Sequence, residues 1–209
     1  KEVNNNKKRA LSVNYVGTKI IVNEILKHNI NWFFFSSTSH VYSSNKKKIK
    51  ETFKRKPVSY YGYTKKLAED YILKKFKNDK TRYCIGRIFS ISNRYQKKDF
   101  LVADLKNRIK NCKKIILLKN LNHFRDFIST KDLAEIIIYF HKKRIKGIVN
   151  LGTGNAIHLK EIAKILAKRY KKKVRFDNNI NPTYLIANIN KLKTLYKYNL
   201  QKKIEKRIF

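Results

Sequence analysis

Cysteine is scarce in this 209-residue sequence, and its two cysteines, Cys84 and Cys112, stand far apart without a Cys-x-x-Cys motif. The five histidines show no spacing typical of metal ligands. These absences argue against a disulfide framework and against a zinc site. We therefore expect two reduced thiols and no bound metal.

Long hydrophobic runs are also lacking. The longest, 32–35 and 115–118, are far too short to span a bilayer, and no basic-then-apolar leader opens the chain. We therefore expect a cytoplasmic protein without a membrane partner. Hydrophobic residues make up 42% of the chain, enough to fill the core of one domain or of one and a half. The sequence has no methionine and begins at Lys1, so we expect a fragment of a longer protein.

Acidic residues are few: 14 Asp and Glu stand against 51 Lys and Arg, which gives a formal net charge of +37. Most of the positive charge must face water or an anion, which favours nucleic acid, anionic membrane or polyphosphate partners. Arginine, the preferred residue for phosphate and base recognition, accounts for only 11 of the 51. Lysine, Asn and Ile share A/T-rich codons, so a base-skewed genome explains the excess equally well. A lysine-rich nucleic-acid-binding protein stays an alternative, although nucleic acid is disfavoured as a partner.

Helical and extended patterns alternate along the chain, which is typical of an α/β sheet. Apolar spacing predicts helices at 11–27, 61–76, 100–109, 132–141 and 159–170, and strands at 31–36, 83–91, 115–118 and 148–151. The run 31–36 lacks polar alternation, which favours a parallel strand covered on both faces. In the first helix we expect one buried stripe, formed by Val16, Ile20, Ile21, Ile25 and Leu26. Ser129 and Thr130 are placed to cap the helix at 132–141.

A tyrosine four residues before a lysine on a helix places both side chains on one face, where the ammonium favours the phenolate. Such a pair makes tyrosine a proton donor and acceptor near neutral pH. The chain has six such pairs: Tyr15/Lys19, Tyr42/Lys46, Tyr61/Lys65, Tyr71/Lys75, Tyr139/Lys143 and Tyr198/Lys202. Only Tyr61/Lys65 stands at a helix start one connection after a buried strand that ends in hydroxyl residues. Open α/β sheets bind ligands at such strand ends.

Five motifs follow one another around this pair: Phe35-Ser36-Ser37-Thr38-Ser39-His40-Val41-Tyr42, Tyr61-Gly62-x-Thr64-Lys65, Arg87-Ile88-Phe89, Arg125-Asp126-Phe127 and Asn150-Leu151-Gly152-Thr153-Gly154. In this order the sequence resembles extended short-chain dehydrogenase/reductases, the NAD-dependent epimerase/dehydratase family that acts on nucleotide sugars. The resemblance implies an α/β fold: a Rossmann-like doubly wound parallel sheet, with its N-terminal strands missing, and a smaller α/β C-terminal substrate domain. It assigns 1–92 and about 127–149 to the cofactor domain, and about 93–126 and 150–209 to substrate binding.

The resemblance also implies roles for individual residues. Tyr61 would be the catalytic acid/base, Lys65 would hold the nicotinamide ribose and lower the tyrosine pKa, and Thr38 would hydrogen-bond the reacting sugar oxygen. The cofactor, NAD or NADP, would contact Tyr61, Lys65, Ser36 and Phe89. The substrate would contact Thr38, Ser90, Gln96 and Arg125, with Arg125 on its diphosphate.

One family feature is absent, because no glycine precedes Asn14 to form the turn that lays the dinucleotide pyrophosphate on a helix N-terminus. Gly152-x-Gly154 comes too late in the chain and matches a later turn of the family. An inactive truncated family member therefore stays a second alternative.

The reaction type is narrowed by two residues. Related 4,6-dehydratases place an Asp-Glu pair directly after the threonine, where this chain has Ser39 and His40. Dehydration is thus disfavoured, while 4-keto reduction or 4-epimerisation needs only the hydroxyl, the tyrosine and the lysine. The sequence around these motifs looks most like reductases of GDP-4-keto-6-deoxy-mannose, and Gln96 and Asp104 are the most distinctive matches. We expect surface or cap roles for the histidines, of which only His40 lies near the site. The sequence leaves open whether the protein forms a homodimer.

Overall fold

The computed structural model describes residues 6–28, 30–93, 95–177, 180–197, 199, 201 and 203–209, so the pair Tyr198/Lys202 lies outside the described residues. The helices are α1 (Lys7–Leu11), α2 (Gly17–Lys27), α3 (Tyr60–Lys75), α4 (Leu101–Asn111), α5 (Thr130–Lys143), α6 (Leu159–Arg169), α7 (Asn190–Leu195) and α8 (Ile204–Ile208). The strands are β1 (Trp32–Thr38), β2 (Arg82–Ile88), β3 (Ser90–Ser92), β4 (Ile115–Leu118), β5 (His123–Ser129), β6 (Gly147–Leu151), β7 (Ala156–His158), β8 (Lys173–Phe176) and β9 (Thr183–Leu185). The predicted alternation of helix and strand is confirmed.

A three-stranded parallel sheet in the order β1-β2-β6 carries the first half of the chain. Phe35 lies opposite Ile85 in β2, which in turn lies opposite Ile148 in β6. The parallel pairing of the predicted strand at 31–36 is therefore confirmed. Within the described residues, β1 pairs with β2 on one side and with no strand on the other.

The remaining strands form two smaller sheets. Strand β5 pairs with β3 and β9 in parallel and with β7 antiparallel, and β4 pairs with β8. Strand β5 separates two hydrophobic cores, because Ile128 packs into the core beneath the main sheet while its neighbour Phe127 packs against α4 and α6. A third core, including Val22, Ala68 and Ile72, lies between the main sheet and helices α2 and α3.

The buried stripe predicted for the first helix is right only in part. Ile25 and Leu26 pack against the third core, whereas Val16, Ile20 and Ile21 are exposed by 42%, 59% and 54%. Helix α2 is regular, and its inner face is formed by Thr18 and Val22 together with Ile25 and Leu26. This face has the ordinary helical spacing, so Ile20 and Ile21 lie outside it although both are apolar.

A buried ion pair joins α3 to the sheet. Arg87 of β2 donates from Nη2 to Glu69 Oε2 at 2.7 Å and from Nε to Glu69 Oε1 at 3.0 Å, and both residues are at most 1% exposed. Ser37 of β1 also donates to Glu69 Oε1. Arg87 Nη1 donates to the Tyr42 hydroxyl, which donates to Asn150 of β6. One network therefore connects helix α3 with all three strands of the parallel sheet.

Replacing Arg87 should destabilise the fold far more than replacing Arg55, which donates to the same carboxylate at 3.1 Å but is 21% exposed. We expect Arg87→Met to lower the free energy of unfolding by about 3–5 kcal/mol, because it leaves Glu69 charged and buried. Arg55→Met should cost less, about 1 kcal/mol, because Arg55 is partly exposed to water and Arg87 still neutralises Glu69 in its absence. Urea unfolding measures both, and equal losses would contradict the central role of Arg87.

Candidate active site

The candidate site lies where β1 ends and α3 begins. Strand β1 ends at Thr38 and is followed by a 3₁₀ turn, Ser39–Val41. Helix α3 starts after Ser59, whose hydroxyl accepts a hydrogen bond from the Gly62 backbone N–H at 3.1 Å. Such a cap satisfies one of the unpaired N–H groups of the first turn. It fixes the start of the helix, and so places Tyr61 and Lys65 on one face near the strand end.

Gly62 allows α3 to approach this strand end closely. A Cβ atom at Gly62 would stand 2.1 Å from the backbone oxygen of His40 and 3.1 Å from Cβ of Pro57. No other residue fits without moving the backbone of the turn, because real Cβ contacts are longer. The glycine therefore sets the short separation that brings Tyr61 to Thr38.

The Tyr61 phenol and the Thr38 hydroxyl share a side-chain hydrogen bond. Burial raises the pKa of Tyr61 above the usual 10.0, and the bond with Thr38 opposes that rise. The expected lowering of the tyrosine pKa by Lys65 is not seen. The reason is that the Lys65 ammonium lies over the ring of Phe35, 4.6 Å from its centroid. Tyr61 is thus a protonated phenol at neutral pH.

Lys65 is half-buried, and among the described residues its ammonium has no hydrogen-bond partner and no ion pair. Burial lowers the pKa of Lys65, while the charge of Glu69 raises it. Its three N–H groups are therefore available to a ligand. A ribose diol is a suitable partner, so this part of the site fits the nicotinamide end of a dinucleotide.

Arg125 of β5 supplies a half-buried positive charge. Its guanidinium donates to the backbone oxygens of Phe124 and Thr183 at 2.8 and 3.0 Å and to Thr183 Oγ1 at 2.9 Å. In the part of the chain that the structure describes, no carboxylate pairs with it, and burial lowers its pKa. Arg125 is held in place by neutral groups only.

The other predicted site residues differ in their exposure and in the elements that hold them. Ser36 is exposed on β1 and Ser90 is half-buried at the start of β3, but the ring of Phe89 packs into the hydrophobic core. Gln96 donates to the Ile91 carbonyl at 3.2 Å and lines a cavity of about 360 Å³ beside α4. That lining includes neither Tyr61 nor Arg125. The ligand contacts expected for Gln96 and Phe89 stay predictions.

The late glycine turn binds a carboxylate of the chain itself. Asp126 accepts hydrogen bonds from the backbone N–H groups of Thr153 and Gly154, both at 2.8 Å, and from the Thr153 hydroxyl at 2.6 Å. Gly154 has a φ of +73°, which favours glycine. Burial raises the pKa of Asp126, and these hydrogen bonds oppose the rise. Sequence reasoning read Asp126 only as part of a motif, although an acid beside a Gly-x-Gly turn could have indicated the pairing.

These features define the class: an α/β protein with a Rossmann-like parallel sheet and a tyrosine and lysine at one strand end. The chain belongs to the NAD dependent epimerase/dehydratase family, whose model matches residues 1–152. A curated relative, ADP-L-glycero-D-manno-heptose-6-epimerase of Brachyspira hyodysenteriae (strain ATCC 49526 / WA1), is 32% identical over 76% of this chain. That match covers 52% of the relative, so the chain spans about half of its length.

Solved structures show the same fold at low sequence identity. RMD from Pseudomonas aeruginosa, complexed with NADPH, matches with a TM-score of 0.88 and 17% identity over 99% of this chain and 74% of its own. DesIV, the dTDP-glucose 4,6-dehydratase of Streptomyces venezuelae with NAD and TYD bound, matches with a TM-score of 0.86 and 17% identity. The match covers 99% of this chain and 66% of DesIV. A UDP-glucuronic acid 4-epimerase from Bacillus cereus matches with a TM-score of 0.82 and 22% identity. The match covers 93% of this chain and 64% of the epimerase. The predicted Rossmann-like fold class and family are confirmed.

Among the residues that the structure describes, no cluster of three His, Cys, Asp or Glu side chains could hold a metal ion. No described helix is long and apolar enough to cross a membrane. Both cysteines are free thiols.

The environment of Tyr61 predicts a late titration. We expect its phenol to ionise above pH 10.0, since burial raises its pKa, and to ionise later still in Thr38→Ala, which removes the bond that lowers the pKa. Carbon-13 NMR of tyrosines labelled at Cζ measures this titration, and Tyr61→Phe identifies the resonance. A Tyr61 resonance that titrates near neutral pH would contradict this electrostatic description.

Proposed function

We propose that this chain carries the catalytic and substrate-binding part of an NAD(P)-dependent reductase or epimerase that acts on a nucleoside-diphosphate sugar. The reaction is 4-keto reduction or 4-epimerisation. The single observation that carries the proposal is the unneutralised Arg125 guanidinium on β5, whose charge reaches the 3₁₀ turn beside Tyr61 and Thr38.

The electrostatics of the site favour an anionic ligand. A half-buried guanidinium without a carboxylate has lost water without gaining a counter-charge, which is unfavourable unless a ligand supplies one. A diphosphate supplies two negative groups and accepts the bidentate hydrogen bonds that arginine offers. The sugar on that diphosphate would then extend from Arg125 toward Thr38 and Tyr61.

The proton chemistry follows from the state of Tyr61. As a protonated phenol bonded to Thr38, it donates its proton to a carbonyl oxygen held by the Thr38 hydroxyl while the carbonyl carbon is reduced. In the reverse direction it accepts the proton of a sugar hydroxyl. The nicotinamide, when bound, supplies or accepts the hydride, and Lys65 holds its ribose. These two residues fit the nicotinamide end of the cofactor, whereas the sequence before Asn14 contains no glycine-rich turn for the pyrophosphate.

The similar proteins support this substrate class. Their names include a heptose epimerase, a UDP-glucuronic acid 4-epimerase and a dTDP-glucose 4,6-dehydratase, and the three matched structures described above contain NAD or NADPH. Against dehydration stand Ser39 and His40, which replace the acidic pair expected for elimination. Reductase and epimerase activity both need only Tyr61, Lys65 and Thr38.

Removing the charge of Arg125 should weaken diphosphate binding. We expect Arg125→Ala to raise the Kd of UDP by about 10- to 100-fold, since a hydrogen bond to a charged group contributes roughly 1.5–3 kcal/mol. The control is Arg82→Ala, because Arg82 is exposed at the opposite end of the parallel strands. Isothermal titration calorimetry measures both, and equal affinities in the two variants would refute the proposed diphosphate site.

Tyr61→Phe should abolish proton transfer without loss of the fold. We expect turnover to fall by about 10²- to 10⁴-fold, the usual contribution of a positioned acid or base. Tyr63→Phe is the matched control, because Tyr63 lies on the same helix and is 45% exposed. Nicotinamide absorbance reports the rate of 4-keto reduction, and chromatographic separation of the two sugar epimers reports the rate of 4-epimerisation. Unchanged turnover in Tyr61→Phe would contradict the mechanism.

A further inference from the structure

His40 is fixed between the two elements that form the site, although no role has been assigned to its side chain. Its backbone N–H donates to Thr38 Oγ1 at 3.2 Å, and its backbone oxygen lies against Gly62 of α3. The backbone of His40 is thus locked to the residues that hold Thr38 and Tyr61, while the residue remains exposed to solvent.

The imidazole is surrounded by the groups proposed to act on the substrate. Its ring meets the Tyr61 ring edge-on, with 6.0 Å between centroids and 67° between planes. Arg125 of β5 acts on it as a positive charge, and Tyr61 and Arg125 are the titratable or charged groups that face it. His40 therefore lies beside the proton donor and within electrostatic reach of Arg125.

The ring nitrogens of His40 have no hydrogen-bond partner in the described part of the chain, and the ring contact with Tyr61 uses neither of them. Other histidines use theirs: His123 Nδ1 lies 2.9 Å from Thr183 Oγ1, and His158 Nε2 lies 3.2 Å from Asn122 Oδ1. Partial loss of water and the Arg125 charge lower the pKa of His40 below 6.5. At neutral pH the ring is uncharged and offers one donor and one acceptor.

Building on the proposed function, we propose that His40 is a specificity-determining residue that hydrogen-bonds a hydroxyl of the sugar ring in a nucleoside-diphosphate hexose. The reacting oxygen lies at Thr38 and Tyr61 and the diphosphate at Arg125, so the sugar ring spans the space between them. His40 lies beside that space with two free nitrogens. A site group of this kind rejects a ligand that lacks the hydroxyl, because its own polar atoms then stay unpaired.

The test compares ligands with and without the sugar. Calorimetry on the 209-residue chain would use three pairs of probes: UDP and UDP-glucose, GDP and GDP-mannose, and ADP and ADP-glucose. We expect His40→Ala to raise the Kd of the preferred nucleotide sugar by about three- to tenfold, the contribution of one uncharged hydrogen bond, and to leave the nucleoside diphosphate unchanged. His40→Asn, which keeps a donor and an acceptor, should recover part of the loss. His28→Ala, at an exposed helix end, is the control and should change neither.

A second measurement does not depend on a variant's stability. In proton NMR of the wild-type chain, the His40 imidazole signal, identified by its absence in His40→Ala, should titrate below pH 6.5. Bound UDP should raise that pKa, since the diphosphate neutralises Arg125. The nucleotide sugar should shift the signal further than UDP does.

The outcomes separate the two proposals. If the wild-type chain binds neither member of any pair, or if Arg125→Ala binds UDP as tightly as the wild type, the proposed function fails. If Arg125→Ala weakens both ligands of a pair while His40→Ala weakens neither, the diphosphate site stands and the role of His40 is overturned. An imidazole signal that responds identically to UDP and to the nucleotide sugar would also overturn it.

Discussion

The buried ion pair between Glu69 and Arg87 is the constraint on which the rest of the site depends. Glu69 follows Lys65 by four residues, and Lys65 follows Tyr61 by four, so the three side chains share one face of α3. Because the Glu69 carboxylate is held by Arg87 of β2 and Ser37 of β1, the rotation of this helix about its axis is fixed relative to the sheet. Ser37 directly precedes Thr38. The same contacts therefore align the phenol with the threonine hydroxyl.

The distribution of charge follows from this packing. The two most deeply buried acids, Glu69 and Asp126, are both satisfied inside the fold, one by Arg87 and one by the turn around Thr153. Asp126 is the sequence neighbour of Arg125, yet it cannot neutralise it, because successive side chains of a strand point to opposite faces. Among the described residues, neither Arg125 nor Lys65 forms an ion pair with a carboxylate. In the proposed function, the diphosphate of the substrate supplies the negative charge at Arg125.

The sequence predicted much of the fold and the centre of the site, because both depend on local signals. An uninterrupted apolar run located β1, and helical spacing located α3 and α5. The position of Tyr61 at a helix start, one connection after a buried strand, separated it from five other tyrosine-lysine pairs. What failed depends on contacts between distant residues. Helix α2 turns Thr18 and Val22 inward rather than Ile20 and Ile21, and strands as short as β7 and β9 have no detectable period. The pKa of Tyr61 depends on burial and on the position of the Lys65 ammonium over Phe35, which spacing does not reveal.

Strand β1 pairs with a described strand on one edge only, and the large net charge affects how its other edge behaves. Among the residues that the structure describes, one edge of β1 has no strand partner, and an edge of this kind can pair with a further strand. With a formal charge of +37, copies of this chain repel one another strongly in dilute buffer. Salt shortens the range of that repulsion to about 8–10 Å at physiological ionic strength. The lysine excess therefore opposes pairing between the β1 edges of two copies of this chain, and that opposition weakens as ionic strength rises.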